Sequence, residues 1–267
     1  MPRLLALVLT VALSACAAPV RTAVEPAAAA PAHDPAASVE ALIDAVRARH
    51  GATWYRTLAF VQETTFHTPQ GPRVQTWYEA GAVPGRLRID VAPLGEGNTY
   101  LFTPDTTFIA RAGTVVDRRP EGNPLMLLGF DIVVLPTAET VAGIAALGID
   151  TGAVREDVWL GRPAVVVGGA PGDSLSPQVW FDRERLVFVR LVERDDATVT
   201  DIRFNEYRPL GGGWIAPHVA VYTDGRLVME ERYREVRADV DLPEGTFDTR
   251  TWPAVAWWTA VGYTGAE

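Results

Sequence analysis

Trp77-Tyr78-Glu79-Ala80-Gly81-Ala82-Val83-Pro84-Gly85-Arg86-Leu87-Arg88-Ile89-Asp90-Val91 is the stretch that decides the fold. Leu87, Ile89 and Val91 alternate with Arg86, Arg88 and Asp90, the two-residue period of a strand. Val83-Pro84-Gly85 is a turn too short for a crossover, so the strands it joins, near 73–80 and 86–92, are antiparallel neighbours. The same pattern extends both ways. Leu58, Phe60 and Phe66 share a face of a run at 57–67, and further strands are expected at 98–103 and 106–111. Turn residues at Pro69-Gln70-Gly71, Pro104-Asp105 and Ala112-Gly113 separate the runs. The result is a five-strand antiparallel meander.

Helical spacing flanks this meander. Ser38 is an N-cap for a helix whose Val39, Leu42, Ile43 and Val46 share one side, with Gly51 just past its end. Downstream, Leu125-Met126-Leu127-Leu128 and Phe130 to Leu135 form a dense apolar region between Pro124 and Pro136. A second helix is expected over Thr137–Leu147. Apolar helical pieces inserted in a sheet protein cover one of its faces. Alternation resumes at Val154–Leu160 and runs to residue 236, and Thr223-Asp224-Gly225 marks a hairpin. The expected class is α+β, mainly antiparallel β, with about eleven strands and three helices. No composition break or fixed-period repeat divides it.

Composition removes several chemistries. The net charge is −9, with no basic stripe, which disfavours nucleic-acid binding. All 24 basic residues are arginine, so a Schiff-base lysine or a P-loop lysine is impossible. Beyond residue 16 the serines are Ser38, Ser174 and Ser176, none in a Gly-x-Ser-x-Gly elbow. His33, His50, His67 and His218 are scattered in sequence, and His50 reads as a cation on a helix C-terminus. Asp182, Glu184, Glu193, Asp195 and Asp196 read as solvated turn carboxylates, and Gly211-Gly212-Gly213 as a flexible turn. The expectation is therefore a protein without enzymatic chemistry, metal or cofactor.

The N-terminus points to the cell envelope. Arg3 precedes an apolar run from Leu4 to Leu13, and Leu13-Ser14-Ala15-Cys16 closes it with the only cysteine of 267 residues. This resembles the lipobox of bacterial lipoproteins, which implies removal of residues 1–15 and acylation of Cys16. An ordinary secretory signal with a chance cysteine is the other reading. Residues 16–36, rich in Ala and Pro, read as a tether. By analogy with Gram-negative sorting, Ala17 after the cysteine implies delivery to the periplasmic face of the outer membrane. The aromatic tail 251–267 has two readings: Trp257 and Trp258 dip into the membrane interface, or the tail packs over a sheet edge or the cavity mouth.

The order of elements over residues 37–250 resembles the LolA/LolB-like superfamily. Trp77-Tyr78 followed by Pro84-Gly85-Arg86-Leu87-Arg88-Ile89 is similar to that family's strand–turn–strand segment. Asn98-Thr99-Tyr100-Leu101-Phe102 with Pro104-Asp105 is similar to its next hairpin, and Val179-Trp180-Phe181-Asp182 and Thr200 to Tyr207 resemble its later strands. The resemblance implies an incomplete, curved antiparallel β-barrel covered by helices, with a cavity for acyl chains of lipoproteins or lipids. It further implies protein partners in a lipoprotein-sorting pathway, or an envelope-stress sensor or scaffold on the same fold. One departure is plain: the family's soluble carrier has arginine before the proline where this chain has Val83. Candidate lining residues are Leu58, Phe60, Leu87, Ile89, Leu101, Leu127, Phe130 and Val134.

Overall fold

Ser38 opens the first helix as expected: its Oγ accepts from the Ala41 N–H at 3.1 Å, and α1 runs Val39–His50. The computed structural model describes residues 34–264. Cys16, the segment 1–15 and most of the 16–36 tether lie outside the described residues.

Six strands follow α1: β1 (Thr57–Thr68), β2 (Gly71–Ala82), β3 (Arg86–Val91), β4 (Asn98–Phe102), β5 (Thr107–Arg111) and β6 (Thr114–Arg119). Two helices come next, α2 (Pro124–Gly129) and α3 (Thr137–Ala146), with a 3-10 turn at Asp131–Val133 between them. The second half holds β7 (Val154–Trp159), β8 (Arg162–Val167), β9 (Gln178–Asp182), β10 (Val187–Asp195), β11 (Thr198–Asn205), β14 (His218–Thr223) and β15 (Arg226–Ala238). A separate ribbon pairs β12 (Arg208–Leu210) with β13 (Gly213–Ile215), and α4 (Trp257–Val261) lies near the end.

Thirteen of these strands form one antiparallel sheet in the order β6-β5-β4-β3-β2-β1-β15-β14-β11-β10-β9-β8-β7. The sheet is open, with β6 and β7 as its edges. Register shifts in the β1–β15, β9–β10, β14–β15 and β5–β6 pairs bend it, as bulges do. The chain passes from edge β6 to the opposite edge β7 through α2 and α3. The strand count exceeds the expected eleven partly because the edge strand β6 is mostly exposed and ends in Asp117-Arg118-Arg119, charges that discourage edge pairing.

The main core joins α1 (Val39, Leu42, Ile43, Val46) and Ile144 of α3 to Val165, Val167, Val179, Phe181, Phe188 and Leu191 of the β8–β10 strands. Asp44 of α1 accepts the Thr137 hydroxyl, and Arg47 donates to the Leu135 carbonyl, fixing α1 to the α2–α3 segment. His50 is buried rather than a cation on the helix dipole. Burial lowers its pKa, and Nε2 lies 2.8 Å from the Arg185 carbonyl, to which its N–H donates. Asp182 is also buried, accepting from Arg162 and from the Glu184 and Arg185 N–H groups, so it is not a solvated turn carboxylate. The glycine turn is not loose either. Gly211 and Gly212 have φ of 51° and 78°, and a Cβ on Gly212 would meet the Thr53 carbonyl oxygen at 2.3 Å.

A third layer covers the convex face of β1–β5. Trp252 packs on Leu101, Phe108 and Ala110, while Trp257 and Tyr263 pack on Ala59, Tyr78 and Ala80. The tail therefore lies on the back of the sheet, neither at an edge nor over the mouth. Beneath it Arg88 and Asp90 form a two-point ion pair at 2.8 and 2.9 Å, with side chains 0 % and 2 % exposed. The Trp257 indole N–H donates to Asp90 at 2.7 Å, and the Arg88 guanidinium lies over the Trp252 and Trp258 rings.

Truncating Trp257 removes both a fully buried ring and a donor to a buried carboxylate. Trp257→Ala is expected to lose about 3–5 kcal/mol in denaturant unfolding, and Trp257→Phe about 1–3 kcal/mol. A loss within about 0.5 kcal/mol, the range of surface substitutions, contradicts this packing.

Candidate functional site

The bend of the sheet leaves a cleft on its concave side, where α1 does not reach. Alternation aims Leu58 and Phe60 of β1, Trp77, Glu79 and Gly81 of β2, and Leu87 and Ile89 of β3 into it. Phe204 of β11 and Glu231 and Tyr233 of β15 complete the wall. Asn123, Leu125 and Met126 at α2, with Phe130 just beyond it, form the cover. The Tyr233 ring stacks on Phe60 at 4.3 Å. About 630 Å³ of non-atom space lies in this inner compartment, part of it open solvent, and about 80 Å³ of it is room for the centre of a water-sized molecule.

A wider, more polar compartment adjoins it, of about 1340 Å³ including open solvent. Trp77, Ile89, Asn123 and Glu231 border both, so the two are continuous. Along β2, Arg73 and Gln75 face the outer space, Trp77 stands at the neck, and Glu79, Gly81 and Val83 lead inward. The guanidiniums at the outer mouth lie over rings: Arg73 over Phe66 and Arg111 over Tyr100, each at 4.9 Å.

The cover is tied to the strand–turn segment by one buried contact. Asp131, following α2, accepts the Gly85 N–H at 2.8 Å and is 5 % exposed. Burial outweighs that hydrogen bond and raises its carboxyl to a pKa of about 6. Gly85 sits at φ 69°, where a Cβ would meet the Pro104 ring at 2.6 Å, so glycine is required there. Asn123 caps α2 by accepting the Leu125 N–H at 2.9 Å.

Of the eight candidate lining residues, Leu58, Phe60, Leu87, Ile89 and Phe130 converge on the inner compartment. Leu101 does not. It faces the convex side and is sealed under Trp252, while its neighbours Tyr100 and Phe102 face the cleft. Leu127 turns away from the cleft onto α3, where a Cβ on Gly143 would lie 2.6 Å from its Cδ2, and it borders a separate groove. Val134 packs against the main core. Trp77, Gly81 and Val83 follow from carrying the alternation of Leu87 and Ile89 back across the turn. Glu231 and Tyr233 do not, since only the β1–β15 pairing brings them there.

Elsewhere, sheet pairing gathers His67 and His218 on Glu230 at 2.9 and 3.3 Å. No group of three or more His, Cys, Asp or Glu among the described residues is arranged to hold a metal ion.

Solved structures share this architecture. A candidate outer membrane lipoprotein-sorting protein domain from Vibrio parahaemolyticus superimposes with a TM-score of 0.59 at 15% identity, over 82% of this chain and 99% of that one. A DUF1329 family protein from Desulfovibrio piger gives 0.59 at 14% identity, over 82% of this chain and 100% of the other. A LolA superfamily protein from Nitrosomonas europaea gives 0.52 at 8% identity, over 78% and 98%. No family model and no curated protein sequence matches the chain. The fold is LolA/LolB-like.

Asp131 gives the site a pH signature. With an unfolded value of 3.8 and a folded value of about 6, its protonated form adds up to ~3 kcal/mol, fully present below pH 4 and lost as pH rises through 6. Asp131→Asn keeps an acceptor for Gly85 and removes this dependence. Unfolding free energies measured from pH 4 to 7 are expected to shift in favour of the variant by up to ~3 kcal/mol. Parallel profiles for the two proteins contradict it.

Proposed function

We propose that this chain binds the acyl chains of lipoproteins or lipids in its concave cleft and passes them on toward the outer membrane, without covalent chemistry. The observation that carries the reading is the convergence of Leu58, Phe60, Gly81, Leu87, Ile89 and Phe130 around an accessible hollow beneath α2. A hollow of this kind gains free energy from any apolar chain, about 0.8 kcal/mol for each methylene withdrawn from water. The fold is one shared with a candidate lipoprotein-sorting domain and a LolA superfamily protein, which supports the same class of cargo.

Acylated Cys16 moors the protein in the envelope, the 16–36 segment lets the domain reach cargo, and Ala17 directs the anchor to the outer membrane. Val83 faces the cleft where the carrier of the resembling family has arginine, so the wall at that position is apolar. This favours a membrane-anchored acceptor over a soluble carrier.

Gly81 offers a direct test. It lies in extended backbone, lines the cleft, and a Cβ there would find its nearest neighbours at ordinary contact, 3.8 Å. Gly81→Leu should occupy the inner compartment with little strain. Titration with a fluorescent fatty-acyl probe is expected to show at least about tenfold weaker binding, the equivalent of ~1.4 kcal/mol, with the far-UV spectrum unchanged. Undiminished probe binding by a folded variant contradicts the cleft as the acyl site.

A further inference from the structure

The cleft is not lined by hydrocarbon alone. Glu79 projects into the inner compartment between Phe60 and Ile89, its cross-strand partners, and is 5 % exposed. No group among the described residues donates a hydrogen bond to its carboxyl or pairs with it. Glu231 stands at the neck and meets only the Tyr233 hydroxyl, at 3.3 Å, and the Gln62 amide. Gln62 is itself buried on the same face, its Nε2 donating to Thr64 at 2.8 Å and its Oε1 left without a partner.

Two carboxyls thus border one narrow, mostly apolar space, and no cation among the described residues answers them. The chain has no lysine, and the arginines of the outer mouth, Arg73 and Arg111, are stacked on Phe66 and Tyr100 instead of pairing with Glu79 or Glu231. Unpaired carboxyls in an apolar site are costly and normally find a partner. The missing complement is a positive charge or a strong donor carried in by the ligand.

We infer that the neck of the cleft recognises a protonated amine on an amphiphilic ligand, with Glu79 and Glu231 as its counter-ions and the apolar end of the cleft taking the attached chain. This rests on the acyl-binding reading and narrows it to amine-bearing lipids. Without ligand, burial holds Glu79 well above the usual carboxylate range, and Glu231 is raised to about 7. The other titratable groups facing them are Tyr233 and, at the mouth, Tyr100, Arg73 and Arg111. Entry of an ammonium group ionises a carboxyl, so binding at neutral pH releases a proton to solvent.

The test compares decylamine, decanol and decanoate, each below its aggregation limit, by isothermal titration of the purified full chain at pH 7. Decylamine is expected to bind at least about tenfold more tightly than decanol, decanoate most weakly, and the amine alone to release close to one proton when buffers are varied. Glu79→Gln and Glu231→Gln, each close in shape to the protonated acid, should bring the amine-to-alcohol ratio toward one while decanol binding persists. Decanol binding also shows that each variant is folded. Equal affinity for amine and alcohol, or a preference for decanoate, overturns this inference but leaves the acyl site standing. Failure of all three ligands overturns both.

Discussion

The pairing of β1 with β15 holds the two halves of the sheet together. It joins a meander grown outward from β1 to a second meander that returns at β15, so that two sheets become one. Because this junction and its neighbours carry register shifts, the joined sheet bends instead of lying flat. Its far edges stay apart, and the only chain linking them is the α2–α3 segment. Helices placed there must cross the concave side. They cover the hollow without filling it, since α1 and α3 are committed to the β8–β10 half of the sheet.

The convex side is closed by different means. Arg88 and Asp90 lie on a face that an ordinary half-exposed strand would give to water, yet both are sealed beneath Trp252 and Trp257. A buried ion pair of this kind contributes little net stability, but removing one partner leaves a costly charge behind. It therefore fixes where the C-terminal segment sits more than how tightly. With the back of the sheet sealed, the cleft is where β1, β2 and β3 leave apolar surface open to a ligand.

Much of this was legible in the residues. Leu87, Ile89 and Val91 lie together on the cleft face because their alternation is strict and their turn is short. Ser38 and the α1 spacing placed the first helix for equally local reasons. Leu101 was misread because in Tyr100-Leu101-Phe102 every side chain suits burial, so the residue types carry no sign of direction, and the strand is sealed on the Leu101 side under Trp252 instead. Leu127 failed for a related cause: a six-residue helix buried on two sides has no single apolar stripe. Glu231 and Tyr233 reach the site through pairing over long sequence separation, which no local pattern encodes. Glu79 sets a buried carboxyl among the apolar residues of the inner cleft, a conflict of the kind that points to function.

The concave hollow is proposed to hold a lipid chain. Native mass spectrometry of the purified protein, compared with its Gly81→Leu variant, reads this out. The account predicts one acyl-bearing ligand retained by the native chain and lost when the inner compartment is filled. A native chain that flies free of lipid, or a variant that retains the same ligand, would contradict it.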